Sequence, residues 1–159
     1  MTINFILNGE DVSIDVDAGI RLVDILRDHF NLTGTRISCN TGNCGSCSVI
    51  FNGEMMKSCI IPAFKVQHSE IITIEGISQT DEYRDYSPDN IEKELINCGI
   101  CNSGKVLAAE ALLSKNQRPT KKQILGAFQG IRCRCTSPEK LVSGIMALIE
   151  ERRRRLHVH

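Results

Sequence analysis

Eight cysteines stand in this 159-residue chain as two groups of four, and no other feature constrains the fold as strongly. The first group is Cys39, Cys44 and Cys47, spaced C-x4-C-x2-C, with a distant fourth thiol at Cys59. That is the ligand spacing of a plant-type [2Fe-2S] cluster, held by four thiolates. Gly42, Gly45 and the small Ser46 lie between the ligands. They tolerate positive φ and close backbone approach, so amide N–H groups are free to point at sulfur and help set the reduction potential.

The route by which Cys59 reaches the other three thiols is local. Asn52-Gly53, the strongest two-residue hairpin signal, is flanked by the segments 48–51 and 54–58. A type I′ turn there pairs Cys47 with Ser58 and sets Cys59 diagonally across from Cys47.

Upstream, residues 2–7 alternate apolar and polar, Asn8-Gly9 supplies another type I′ turn, and Val12, Ile14 and Val16 resume the alternation. Asp17-Ala18-Gly19 breaks this hairpin, and Leu22, Ile25, Leu26 and Phe30 then recur at the spacing of a helix of roughly ten residues. After the cysteine loop and the second hairpin, the β-branched run 71–74 reads as a last strand ended by Gly76. The expected first unit, residues 1–77, is a small mixed sheet gripping one helix.

Residues 78–87 are polar and read as a linker, after which strand signals cease. Residues 88–159 read as four short helices. Ser87-Pro88-Asp89 and Ser137-Pro138-Glu139 each supply an N-cap residue, a proline at the first helical position and an acid in the first turn. Thr120 and Gln123 form a capping box. The second group of thiols falls at helix junctions, as Cys98-x2-Cys101 and Cys133-x-Cys135. Four thiols at two junctions tie helix pairs over one metal centre, and the spacing alone leaves zinc and iron-sulfur open.

Zero formal net charge excludes the basic excess of a general nucleic-acid binder, and no 18-residue apolar run or secretory pattern suggests a membrane. The chain reads as cytoplasmic, where grouped cysteines indicate metal ligation rather than disulfides. It has no dinucleotide fingerprint and no nucleophile beside a base, so substrate chemistry is expected on another chain. His29, His68, His157 and His159 show no ligand spacing, and Arg152 to Arg155 read as cations favoured at a helix C-terminus. Arg132 and Arg134 flank the C-x-C thiols and read either as cations that offset cluster charge and raise its potential or as ordinary surface charges.

Both halves together resemble the small iron-sulfur subunit of the molybdenum hydroxylases, the family of xanthine dehydrogenase, aldehyde oxidoreductase and carbon monoxide dehydrogenase. The resemblance is carried by Gly34-Thr35-Arg36, the segment from Cys39 to Val49, Asn52-Gly53, Ser58-Cys59, Cys98-Gly99-Ile100-Cys101, Ala111-Leu112-Leu113, Pro119-Thr120 and Cys133-Arg134-Cys135-Thr136. It implies an α+β chain, with an N-terminal β-grasp, ferredoxin-like domain followed by an all-α four-helix domain and one [2Fe-2S] cluster in each. It further implies an electron-transfer subunit, catalytic in complex only, that relays electrons from a molybdenum-pterin centre on a large subunit to FAD on a medium subunit. By this analogy Cys98, Cys101, Cys133 and Cys135 bind the molybdenum-proximal cluster, and Cys39, Cys44, Cys47 and Cys59 the flavin-proximal one.

Several positions depart from the family pattern. Asn97 stands where a glutamine amide usually contacts the pterin, so it reads either as that contact or as a helix cap. Ser38, Asn102, Ser103, Ser137 and Pro138 also differ, leaving the ligands intact and altering the surface around them. The competing readings are a free-standing two-cluster ferredoxin and a structural zinc-binding module.

Overall fold

The structure, a computed structural model, describes residues 1–95 and 99–158. The expectations for Ile96, Asn97, Cys98 and His159 therefore lie outside the described residues.

Five strands form one mixed sheet in the order β2-β1-β5-β3-β4. β1 (Thr2–Leu7) and β2 (Glu10–Asp15) are an antiparallel hairpin, turned by Asn8 at φ 52° and Gly9 at φ 86°, the left-handed pair a type I′ turn demands. β3 (Ser48–Phe51) and β4 (Glu54–Lys57) repeat the device with Asn52 at φ 49° and Gly53 at φ 81°. Both expected hairpins are present. β5 (Glu70–Ile72) lies between them, parallel to β1 and antiparallel to β3.

The last strand is shorter than its β-branched run suggests. Ile74 opens a helix, α2 (Ile74–Ser78), and Gly76 sits inside it rather than ending a strand. Asn8 explains the change: its Oδ1 accepts the Thr73 amide at 2.8 Å, and a Cβ on Gly76 would lie 2.4 Å from the same oxygen. Glycine is required here by close approach.

Leu22, Ile25 and Leu26 are fully buried on the helical segment that crosses the sheet. It begins as α1 (Leu22–Asp24) and widens into a π-type turn over Ile25–His29. With Ile3, Phe5, Leu7, Val49 and Ile71 this segment forms one core. β3 is buried on both faces, because Val49 points into that core while Ile50 joins a second one among the helices.

That second core is built by α4 (Asp89–Leu95), α5 (Asn102–Lys115), α6 (Lys121–Ala127) and α7 (Pro138–His157). Both ends of the Thr120–Gln123 capping box are formed, and the Ser137 hydroxyl accepts the Lys140 amide at 3.3 Å. The polar stretch 78–87 holds a further helix, α3 (Asp81–Arg84), and buries Asp85 and Tyr86 against α5 and α7. Tyr86 joins the helical core, and charge pins Asp85 beside it. Asp85 Oδ2 meets Arg152 Nε at 3.1 Å, Asp85 Oδ1 meets Arg155 Nε at 2.9 Å, and Arg152 also pairs with Glu110. Two of the four arginines that read as cations favoured at a helix C-terminus are thus tied to Asp85, and one of them also to Glu110 of α5.

Candidate metal centres

Three local structures meet around the first group of thiols. The loop 39–46 carries Cys39 and Cys44, the turn residue just before β3 is Cys47, and a 3₁₀ turn over Ser58–Ile60 carries Cys59. The hairpin register continues one pair beyond the strands: the Ser58 amide donates to the Cys47 carbonyl at 3.2 Å, and its hydroxyl does so at 2.6 Å. Cys47 and Cys59 are then buried together against Val23 of α1.

Amides line this loop and face sulfur. Cys39 Sγ accepts N–H groups from Thr41, Asn43 and Cys44 at 3.4, 3.3 and 3.2 Å. Gly42 N donates to Cys59 Sγ at 3.2 Å, and Ser46 N to Cys44 Sγ at 3.5 Å. Gly42 and Gly45 adopt φ of 73° and 80°, and Asn40 joins them in the left-handed region at 56°. This is a nest of donors built for anionic sulfur.

The thiols respond to it. The Thr41 hydroxyl, followed by the amides of Thr41, Cys44 and Asn43, pulls the Cys39 thiol down to about 5. Burial pushes Cys47 up to about 11. Among the described residues no three His, Cys, Asp or Glu side chains gather as ligands of a single ion. The donor set and its amide lining fit a two-iron cluster.

Of the second group, Cys101 caps the N-terminus of α5 and is buried, Cys133 is half-buried and Cys135 is exposed. Cys101 Sγ lies 3.6 Å from the Arg132 carbonyl, so the structure brings Cys101 to the C-x-C loop. Burial pushes the Cys133 thiol up, but the Cys135 amide, the Thr136 hydroxyl and the Lys105 charge outweigh it and hold the thiol below its ordinary range. Cys98 and Asn97 fall outside the described residues.

The two thiol-bearing loops touch. Arg132 N donates to the Cys44 carbonyl at 2.8 Å. A Cβ on Gly45 would sit 2.3 Å from the Gly130 carbonyl oxygen, and one on Gly104 would sit 2.9 Å from the Gly45 carbonyl oxygen. Backbone packs on backbone here, which only glycine permits. Sequence reading found Gly45 as a cluster-loop residue but missed this junction and Lys105. Arg132 and Arg134, the expected cations, are both exposed, whereas Lys105 is 2% exposed beside the second group.

Comparison with known proteins agrees with this arrangement. A family profile described as a 2Fe-2S iron-sulfur cluster binding domain matches residues 12–93, and one described as a [2Fe-2S] binding domain matches residues 73–146. The nicotinate dehydrogenase small FeS subunit of Eubacterium barkeri is 39% identical over 150 residues, covering 94% of this chain and 96% of the relative. The isoquinoline 1-oxidoreductase subunit alpha of Brevundimonas diminuta is 35% identical over 150 residues, with 94% and 98% covered. A chain of the crystal structure of quinoline 2-oxidoreductase from Pseudomonas putida 86 superimposes with a TM-score of 0.82 at 31% identity, covering 97% of this chain and 96% of that one. The chain belongs to the small iron-sulfur subunits of the molybdenum hydroxylases, and is an electron-transfer subunit of an oxidoreductase complex with two [2Fe-2S] centres.

Proposed function

We propose that residues 1–77 form a β-grasp, ferredoxin-like domain whose Cys39, Cys44, Cys47 and Cys59 hold the flavin-proximal cluster, with 78–87 as the connecting segment. Residues 88–159 then form a four-helix domain whose Cys98, Cys101, Cys133 and Cys135 hold the molybdenum-proximal cluster. Electrons enter from a molybdenum-pterin centre on a large subunit, pass through the helical-domain cluster and then the ferredoxin-like one, and leave to FAD on a medium subunit.

The observation that carries this reading is the hydrogen-bonded junction between the loop holding Cys44 and the loop holding Cys133, which keeps two redox centres at a fixed separation. Burial, donors to sulfur and fixed placement are what a protein contributes to an iron-sulfur carrier.

Exposed apolar residues sit beside the thiols. Ile37 is 43% exposed and Ile60 58%, each near a ligand of the first group, and Ile100, 60% exposed, lies between Cys98 and Cys101. They favour permanent docking on partner subunits over a free-standing ferredoxin. Asn97 is proposed to contact the pterin across the second of these surfaces. The partner subunit selects the substrate; the relatives described above are named for nicotinate, isoquinoline and quinoline. Among the described residues no helix is long and apolar enough to cross a membrane.

Purification of the tagged chain from its own host, with molybdenum and flavin analysis, tests the proposal. It predicts two larger subunits, molybdenum and FAD in proportion to the chain. A chain recovered alone, with both clusters loaded and reducible by several unrelated donors, would favour the free-standing carrier.

A further inference from the structure

Lys57 is the last residue of β4, and strand pairing sets it opposite Ser48 at the start of β3. Its half-buried side chain reaches over the first cysteine loop, where the ammonium donates to the Gly42 carbonyl oxygen at 2.8 Å. A Cβ on Gly130 would lie 3.8 Å from Lys57 Cε, so the stem also packs against the loop that leads to Cys133. One cation thus stands at the junction of the two thiol-bearing loops.

The Gly42 carbonyl is one end of the peptide unit joining residues 42 and 43. The other end is the Asn43 amide, which donates to Cys39 Sγ at 3.3 Å. An ammonium on the oxygen polarises the unit and leaves its N–H more positive, so the bond to sulfur strengthens cooperatively. Gly42 is itself held against a second thiol, its own amide donating to Cys59 Sγ at 3.2 Å. The charge therefore acts on the ligands by two routes of the same sign, through the peptide and through space. A [2Fe-2S] centre gains one negative charge on reduction, so both routes stabilise the reduced form more than the oxidised one.

We propose that Lys57 is a positioning residue that raises the reduction potential of the first [2Fe-2S] centre by polarising the peptide that donates to Cys39. The inference rests on the assignment of Cys39, Cys44, Cys47 and Cys59 as ligands of that centre. It supplies a reason for electrons to cross the Arg132–Cys44 junction toward this centre.

The test is potentiometry of the intact holoprotein read by electron paramagnetic resonance, for wild type, Lys57→Met, Lys57→Gln and Lys57→Arg. The first centre is identified as the signal that persists in Cys133→Ser. In Lys57→Met this signal should lose threefold to tenfold of its preference for the reduced form, tenfold being 59 mV for a one-electron couple. Lys57→Gln keeps a donor without the charge and should shift the same way, which covers a methionine variant that does not accumulate. Lys57→Arg keeps the charge and should stay within threefold of wild type. Lys65→Met, which removes an exposed lysine six residues after Cys59, should leave both midpoints in place. Shifts below threefold in the neutral Lys57 variants would overturn the proposal, as would equal shifts of both signals or a shift confined to the signal that Cys133→Ser removes. Wild-type holoprotein without a [2Fe-2S] signal would overturn the ligand assignment itself, a failure seen before any Lys57 variant is read.

Discussion

The backbone amide of Arg132 donates to the carbonyl of Cys44 across 2.8 Å, so the residue before one thiol pair is bonded to a thiol-bearing residue of the other group. Gly45 makes the approach possible. It holds φ 80°, and a Cβ there would lie 2.3 Å from the Gly130 carbonyl oxygen. Gly53 is its natural control, with φ 81° and open space around the missing Cβ.

Gly45→Ala should cost more than the roughly 1–2 kcal/mol of a left-handed alanine, because the 130–133 loop must also move. Gly53→Ala should cost only that backbone penalty. Urea denaturation midpoints compare the two, and only Gly45→Ala should perturb the resonance spectra of both clusters.

The cysteines of the first loop should differ sharply in reactivity once iron is removed. With Cys39 pulled down to about 5, its thiolate persists at neutral pH and is lost as pH falls through that value. Cys47, pushed up to about 11 by burial, stays protonated until strongly alkaline conditions. Alkylation at pH 7, read by peptide mass spectrometry, should label Cys39 roughly tenfold or more faster than Cys47. Thr41→Val removes the largest cause of the low value and should move the onset of Cys39 labelling to higher pH.

Arg152 should be a stability residue. Its side chain is 16% exposed and bridges Asp85, 3% exposed, and Glu110, 12% exposed. Arg152→Met leaves two buried carboxylates short of a partner and should cost about 3 kcal/mol, the low end for a broken buried pair because Arg155 still meets Asp85. Arg153 faces Glu150 at 3.9 Å with its side chain 66% exposed, and Arg153→Met should change stability by less than about 0.5 kcal/mol. Denaturant titration separates them.

What was legible in the sequence is what nearby residues decide. Asn8-Gly9 and Asn52-Gly53 determine their own turns, Thr120 with Gln123 its own cap, and the hairpin at Asn52 carries Cys59 back to Cys47. The illegible parts depend on residues far apart in the chain. Gly76 looked like a strand terminus until Asn8, packed against it, supplied another reason for glycine. Asp85 and Tyr86 looked like linker until Arg152 and Glu110 reached them. Lys105 shares its residue type with many surface positions, and only the fold turns it inward toward Thr136. The parallel pairing of β5 with β1 joins Glu70 to Ile6, a separation that periodicity cannot bridge.

The most direct test of the two-centre account is iron and acid-labile sulfide analysis of anaerobically purified protein, with electron paramagnetic resonance after dithionite reduction. Two clusters predict about four irons and four sulfides per chain and two distinguishable signals, with Cys133→Ser removing one and sparing the other. Zinc without sulfide, or half the iron with a single signal, would contradict it.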